Sequence, residues 1–274
     1  MNVTQALVAL LSMGVVATSH AQSPPAAAKP PRIEDNSFLI EEAYNQEKGV
    51  VQHISVFQRD LTTRAWSYSF TQEWPVRGQR HQFSYTAAVA RLGTSATGFG
   101  DVLLNYRLQL VADEDRGLFL APRLSLSVPT GDASRGLGAG ATGLQMDIPV
   151  SQRMGEHFVT HVNAGYTWFG TTRDASGASG SLGAINLAHS VVWLAHPRLN
   201  VLLETVWSGS ERRARGSSSW DATLLLNPGI RWAYNLKSGT QIVPGVSFPI
   251  GVGPSGGQRQ LLLYFSVEHA FGSG

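Results

Sequence analysis

The sequence predicts an all-β fold, a transmembrane antiparallel up-and-down β-barrel of about 12 strands. Three observations carry that prediction. Apolar and polar residues alternate with period two from about residue 50 onward, short and long connections alternate, and aromatic residues gather at strand ends.

Composition removes the competing classes. Of the 274 residues, 15% are charged, against roughly 25% in ordinary soluble proteins. Hydrophobic residues make up 43%, yet mean hydropathy is −0.05, so apolar residues are dispersed. Dispersal excludes a polytopic helical membrane protein, whose spans need roughly 18–20 consecutive apolar residues. The Val, Leu and aromatic content excludes disorder as the main state. The absence of cysteine excludes a disulfide framework and Cys-ligated metals. A net charge of +2 gives no footprint for nucleic acid.

The chain opens on an apolar run, Ala6–Ala17, with small residues Ser19 and Ala21 placed for cleavage, although Met1–Gln5 carries no Lys or Arg. Residues 1–21 therefore read as an export signal. Residues 22–37 read as a Pro/Ala-rich linker, and residues 38–47 as a short N-terminal periplasmic segment. At the end of the linker, Asn36 or Ser37 could cap a short helix through Tyr44.

The barrel is expected over residues 48–271. Trp66, Tyr68, Phe70, Gln72 and Trp74 share one strand face, and Ser67, Ser69, Thr71 and Glu73 the other. The same split recurs at Val102–Leu110, Leu118–Val128, Phe158–Trp168 and Trp220–Tyr234. Candidate strands are 49–59, 64–75, 80–92, 98–111, 117–129, 141–151, 156–169, 182–196, 198–208, 218–235, 240–250 and 259–271. Alternate connections are short: 75–79, 112–116, 152–155, 196–197 and 236–239. Most of the others (93–97, 130–140, 170–181, 209–217 and 251–258) are longer and rich in Gly, Ser and Thr. Outer-membrane barrels show this sidedness, and a soluble sandwich does not explain it. Phe271 resembles the C-terminal aromatic read by the barrel-assembly machinery.

Four stretches resemble a known family: Phe38–Gln52 (FLIEEAYNQEKGVVQ), Gly98-Phe99-Gly100-Asp101, Pro129-Thr130-Gly131-Asp132 and Asn163-Ala164-Gly165-Tyr166. Over residues 34–271 the chain is similar to the outer-membrane transporters assigned to the phenol meta-cleavage (MetA) pathway. The resemblance implies a barrel that passes hydrophobic or aromatic compounds, and no catalytic residues.

Each candidate for chemistry has a plainer reading. Gly138 to Gly143 matches G-x-G-x-x-G, but an alternating strand follows where dinucleotide binding needs a helix, so loop glycines explain it. His161 and Asn163 invite a lipid-modifying enzyme, yet they share the inward register with no Ser beside them. His157 and His161 lack a third metal ligand. The run Glu211–Arg215 reads as a solvated loop tip that could meet lipopolysaccharide phosphates, and Asp113–Arg116 as an acidic turn.

The lumen-lining candidates are Glu73, Asp101, Asn105, Arg107, Arg123, His161, Asn163, Glu204, Asp221, Asn227, Arg231 and Glu268. Either they line a selective aqueous path or they form a lumen-filling ion-pair network, with Arg123 free or pinned by Glu204. The sequence points to an outer-membrane channel for small hydrophobic or aromatic solutes, not an enzyme, with no cofactor or metal. Its partners would be outer-membrane lipids, lipopolysaccharide, the solute and the assembly machinery, with no nucleic acid. An acidic-oligosaccharide channel, a non-conducting structural or surface-interaction barrel and a lipid-modifying enzyme are the rivals.

Overall fold

The computed structural model describes residue 33 and residues 35–92, 97–173, 179–214 and 217–270. Extended segments dominate, interrupted by two single 3-10 turns, Ala133–Arg135 and Gly253–Ser255. Segments separated by one- or two-residue breaks form single strands, which gives a closed barrel of twelve antiparallel strands among the described residues.

In chain order the strands are β1 (Val50–Asp60), β2 (Trp66–Pro75), β3 (His81–Arg91) and β4, which comprises Thr97–Phe99, Val102–Leu108 and Val111–Asp113. Next come β5 (Leu118–Leu120 and Arg123–Val128), β6 (Gly143–Met154), β7 (Phe158–Arg173) and β8 (Ser179–His196). The last four are β9 (Leu199–Ala214), β10 (Ser217–Trp232 and Tyr234–Asn235), β11 (Gln241–Ser247 and Ile250–Gly251) and β12 (Gln260–Ala270). Two of the breaks fall at Pro122 and Pro249, where the missing N–H cannot join the ladder. Each strand pairs with its chain neighbour, and β1 closes on β12 from Val50↔Ala270 to Asp60↔Gln260. Closure leaves no open edge for hydrocarbon to meet.

The outer face is a belt of exposed apolar side chains, including Leu104, Leu126, Met146, Val162, Leu187, Leu203, Ile230 and Leu263. Tyr166 and Trp168 stand toward the loop end of β7, and Phe158, level with Trp193, toward the turn end. The inner face of β2 to β7 carries Ser67, Ser69, Thr71, Ser84, Thr86, Ser125 and Ser127, all buried.

Two expectations need correction. The stretches 170–181 and 209–217 were expected as long loops. Instead β7 runs to Arg173, β8 starts at Ser179, and β9 and β10 zip up as far as Ala214 and Ser217. Long connections at that end are 129–142 and 252–259, so the sidedness is as much one of strand height as of loop length. Within the charge run, Glu211 pairs with Arg213 at 2.8 Å on β9 instead of lying at a loop tip, and Arg215 lies outside the described residues.

Residues 38–47 also depart from expectation. They form no helix, and they lie inside the barrel, not beyond it. Every residue from Asn36 to Gln46 is buried, so the chain's own N-terminal segment occupies the lumen. The end of the expected linker belongs to it, since Ile33 N–H reaches the Pro197 carbonyl at 2.8 Å. The export signal (1–21) and Phe271 lie outside the described residues.

Candidate functional site in the barrel lumen

An extended segment inside a barrel has main-chain N–H and C=O groups with no ladder to join, and each must find a partner. Here the wall side chains supply them. Glu204 on β9 accepts from the N–H groups of Phe38 (2.9 Å) and Leu39 (2.8 Å). Asn163 on β7 grips Glu41 twice, accepting from its N–H at 2.7 Å and donating to its carbonyl at 2.8 Å. Ser151 accepts from Ala43 N–H, Gln109 from Asn45 N–H and Gln82 from Gln46 N–H. In return Arg107 donates to the Tyr44 carbonyl at 2.7 Å, and Arg231 to the Asn36 carbonyl at 2.6 Å. These wall contacts replace the bonds an isolated helix would make, which is why no helix forms.

Charge tightens the dock. Arg123 Nε lies 2.9 Å from Glu41 Oε1, and its guanidinium also donates to Asn105 (3.1 Å) and Gln145 (3.3 Å). Arg107 stands 3.7 Å from the other Glu41 oxygen and 4.0 Å from Glu73. The network is thus centred on Glu41, a residue of the segment. Arg123 is neither free in the lumen nor paired with Glu204. Glu204 is satisfied by segment amides and by Asn227. Its partner could not be read from the wall sequence because it belongs to no strand.

His161 shows the same use. Its Nε2 faces the Asp35 carbonyl at 2.9 Å and its Nδ1 faces Ser151 Oγ at 2.8 Å. A Ser does stand beside it after all, brought in by the cross-strand register His161↔Ser151. That hydroxyl already accepts from Ala43 N–H, and both side chains are wholly buried under the segment.

Among the remaining sequence candidates, Glu268 accepts from Gln52 at 2.6 Å, and Asp221 is half-buried across from Ser210 toward the loop end. Asp101 does not line a path. At the rim it accepts from Gly131 N–H (2.9 Å) and Ala139 N–H (2.7 Å), folding the β5–β6 loop inward. Leu137 and Ala139 are buried there, and Ala139 packs with Phe169 and Leu182. The glycine motif ends in this contact: a Cβ at Gly143 would come 2.3 Å from the Phe169 ring, and β6 follows, not a helix.

The apolar part of the lumen is missing from the sequence list. Ile54, Val56, Val192, Leu202, Val206, Val243, Leu262 and Tyr264 form an apolar inner wall from β8 through β12 to β1. Against it lie Ile33, Phe38, Leu39 and Ile40 of the segment. The lumen is therefore mostly polar on β2 to β7, while on β8 to β1 an apolar patch is set among Glu204, Asn227, Arg231 and Glu268, and the segment lays Phe38, Leu39 and Ile40 against that patch. Alternation could not show this, because Leu202 and Val206 share their register with Asn200, Glu204 and Ser208, so the inner face of β9 reads as polar.

The sequence model of the family described as MetA-pathway of phenol degradation matches residues 33–261, most of the chain. The chain belongs to this family. The match to the phenol-degradation family spans the docked segment and most of the barrel. An outer membrane channel from Pseudomonas putida F1 superposes with a TM-score of 0.64 at 12% identity, over 90% of this chain and 100% of that one. The NanC porin gives 0.52 at 9% identity, over 81% of this chain and 100% of that one. A search of curated protein sequences found no match. With the apolar belt, these likenesses identify the fold of this phenol-degradation family member as an outer-membrane barrel.

Proposed function

We propose that the protein is an outer-membrane channel for small hydrophobic or aromatic solutes, and that the segment from Ile33 to Glu47 is its internal gate. The observation that carries this reading is the apolar patch inside an otherwise polar lumen. An apolar patch bordered by polar side chains suits a solute with a greasy body and a few polar atoms. The family's description, phenol degradation, points to the same chemistry. An acidic-oligosaccharide channel would need arginines facing open water. Here Arg107, Arg123 and Arg231 are buried against carboxylates or segment carbonyls.

The Ser151–His161 pair supports docking of the segment more readily than hydrolysis, since its hydroxyl is held by a main-chain amide. Lipopolysaccharide would meet Arg213 on the tall β9–β10 hairpin, and the assembly machinery would read the C-terminal strand.

The filled lumen also suits a non-conducting structural barrel. Proteoliposomes separate the two. Phenol should enter faster than in protein-free vesicles, while a sugar of similar mass should not. A variant lacking residues 33–47 should pass both. If that variant folds yet passes neither, the barrel is structural. Release of fatty acid from phospholipid by the intact barrel would instead restore the lipid-modifying enzyme.

A further inference from the structure

One piece of the lumen wall is shaped for a ring. On β10 and β11, at Gly229 and Gly245, the wall has no side chain, and the Phe38 ring lies on that bare backbone. A Cβ at Gly229 would come 2.4 Å from Phe38 Cε2, and one at Gly245 2.7 Å from Cε1. Glycine inside a strand weakens it and marks a close approach, and here two adjacent strands leave the same patch empty. Register places Arg231 and Tyr264 on either side of Gly245. Tyr264 meets the Phe38 ring edge-on at 5.7 Å and 72°.

The slot also has a polar end. The Arg231 guanidinium lies 4.6 Å over the Tyr264 ring, which fixes its plane. It donates to the Asn36 carbonyl at 2.6 Å and to the Tyr264 hydroxyl at 3.4 Å, while its buried Nε has no hydrogen-bond partner. The occupant thus offers a six-membered ring and, two residues away, a neutral acceptor oxygen.

We infer that this slot is a binding site for a monocyclic aromatic carrying a hydroxyl group, and that Phe38 with the Asn36 carbonyl occupies it as the chain's own substitute. The inference rests on the gating reading in one respect: the segment must be able to leave. Solute and Phe38 then compete for one place, so ring binding favours the released state by its differential affinity. This coupling gives the gate a chemical trigger.

The test uses the full-length barrel in detergent micelles, with 4-fluorophenol as probe and its fluorine NMR signal as readout. Wild type should bind weakly, because Phe38 competes. Phe38→Ala leaves a ring-sized apolar hole of the kind that takes up benzene, and should bind at least tenfold more tightly. Adding Gly245→Val to Phe38→Ala refills the hole and crowds Arg231, whose Cγ would lie 2.9 Å from the new Cβ, so binding should return to the micelle background. Fluorobenzene should bind Phe38→Ala at least fivefold more weakly than 4-fluorophenol. Heat-modifiable gel migration confirms that each barrel is folded. Equal uptake by wild type, Phe38→Ala and the double variant overturns the site, and equal affinity for the two probes overturns the hydroxyl preference. Tight binding to Phe38→Ala with no phenol flux in liposomes would sink the channel and leave the site standing. Flux with no gain in binding would do the reverse.

Discussion

Removing Arg123 should loosen the gate and leave the barrel intact. The guanidinium is the nearest cation to Glu41, and Arg107 at 3.7 Å is the next. With Arg123→Ala, Glu41 stays buried beside a poorer partner, and Asn105 and Gln145 each lose a charged donor. Breaking a buried pair from one side costs about 3–5 kcal/mol. Arg107 remains within reach, so about 3 kcal/mol of docking free energy is the working figure. At 1.4 kcal/mol per tenfold, the docked-to-released ratio should fall on the order of 100-fold. A planar bilayer reads this as a rise in the fraction of time spent conducting. Arg123→Ala with Glu41→Ala removes the orphaned carboxylate and should recover more than half of the loss, a strong coupling. Arg123→Ala with Glu204→Ala should be additive, because those side chains share no contact. If Arg123 couples to Glu204 and not to Glu41, the described geometry of the lumen is wrong.

Leu226 points outward from β10 and Thr223 inward, so Leu226→Arg should cost about 2–4 kcal/mol of folding into bilayers and Thr223→Arg far less, measured by urea titration. Ser134→Cys on the β5–β6 loop should label with an impermeant maleimide on intact cells, whereas Ser238→Cys on the β10–β11 turn should label only after the outer membrane is opened. Asp101→Ala should free the inward loop, seen as faster proteolysis near Arg135 and a larger conductance once the segment is released. Burial pushes the Glu47 carboxyl up to about 7. A raised carboxyl opposes docking once it ionises, so docking should be tightest below about pH 4.5 and weaken up to about pH 7; Glu47→Gln should flatten that slope in a bilayer recording.

How much of this was legible in the sequence follows from where the physics is periodic. Strands facing lipid on one side and lumen on the other must alternate, so Trp66–Trp74 or Phe158–Trp168 declare themselves. Above the membrane both faces meet water, alternation fades, and Gly209–Arg213 looks like loop although its ladder continues. The inward polar residues were legible as a set, but not their partners. Glu204, Asn163, Arg107 and Arg231 serve main-chain groups of the segment, and main-chain groups leave no signature in a sequence. The segment was visible only obliquely. Phe38–Ile40 beside Glu41 and Glu42 fits neither period, and the wall offers more long polar side chains than its own pairs can satisfy.

That excess separates the function of the lumen from the stability of the barrel. The twelve-strand ladder is complete without the segment, since closure rests on β1–β12 pairing. The Arg123–Glu41 pair and the amides on Glu204 therefore contribute to docking and little to the fold. Buried charge pairs are a poor way to stabilise a protein, because desolvation offsets much of the attraction, but they suit a part that must both seat and leave. Once the segment is released, Arg107, Arg123, Glu204 and Asn163 regain water, which repays much of what undocking gives up. On the apolar wall the balance runs the other way: withdrawing Phe38 and Ile40 exposes Gly229, Gly245, Val206 and Leu262 to water with no compensation. The apolar wall thus holds the gate most firmly, and an apolar ring arriving there is the ligand with most to gain by taking its place.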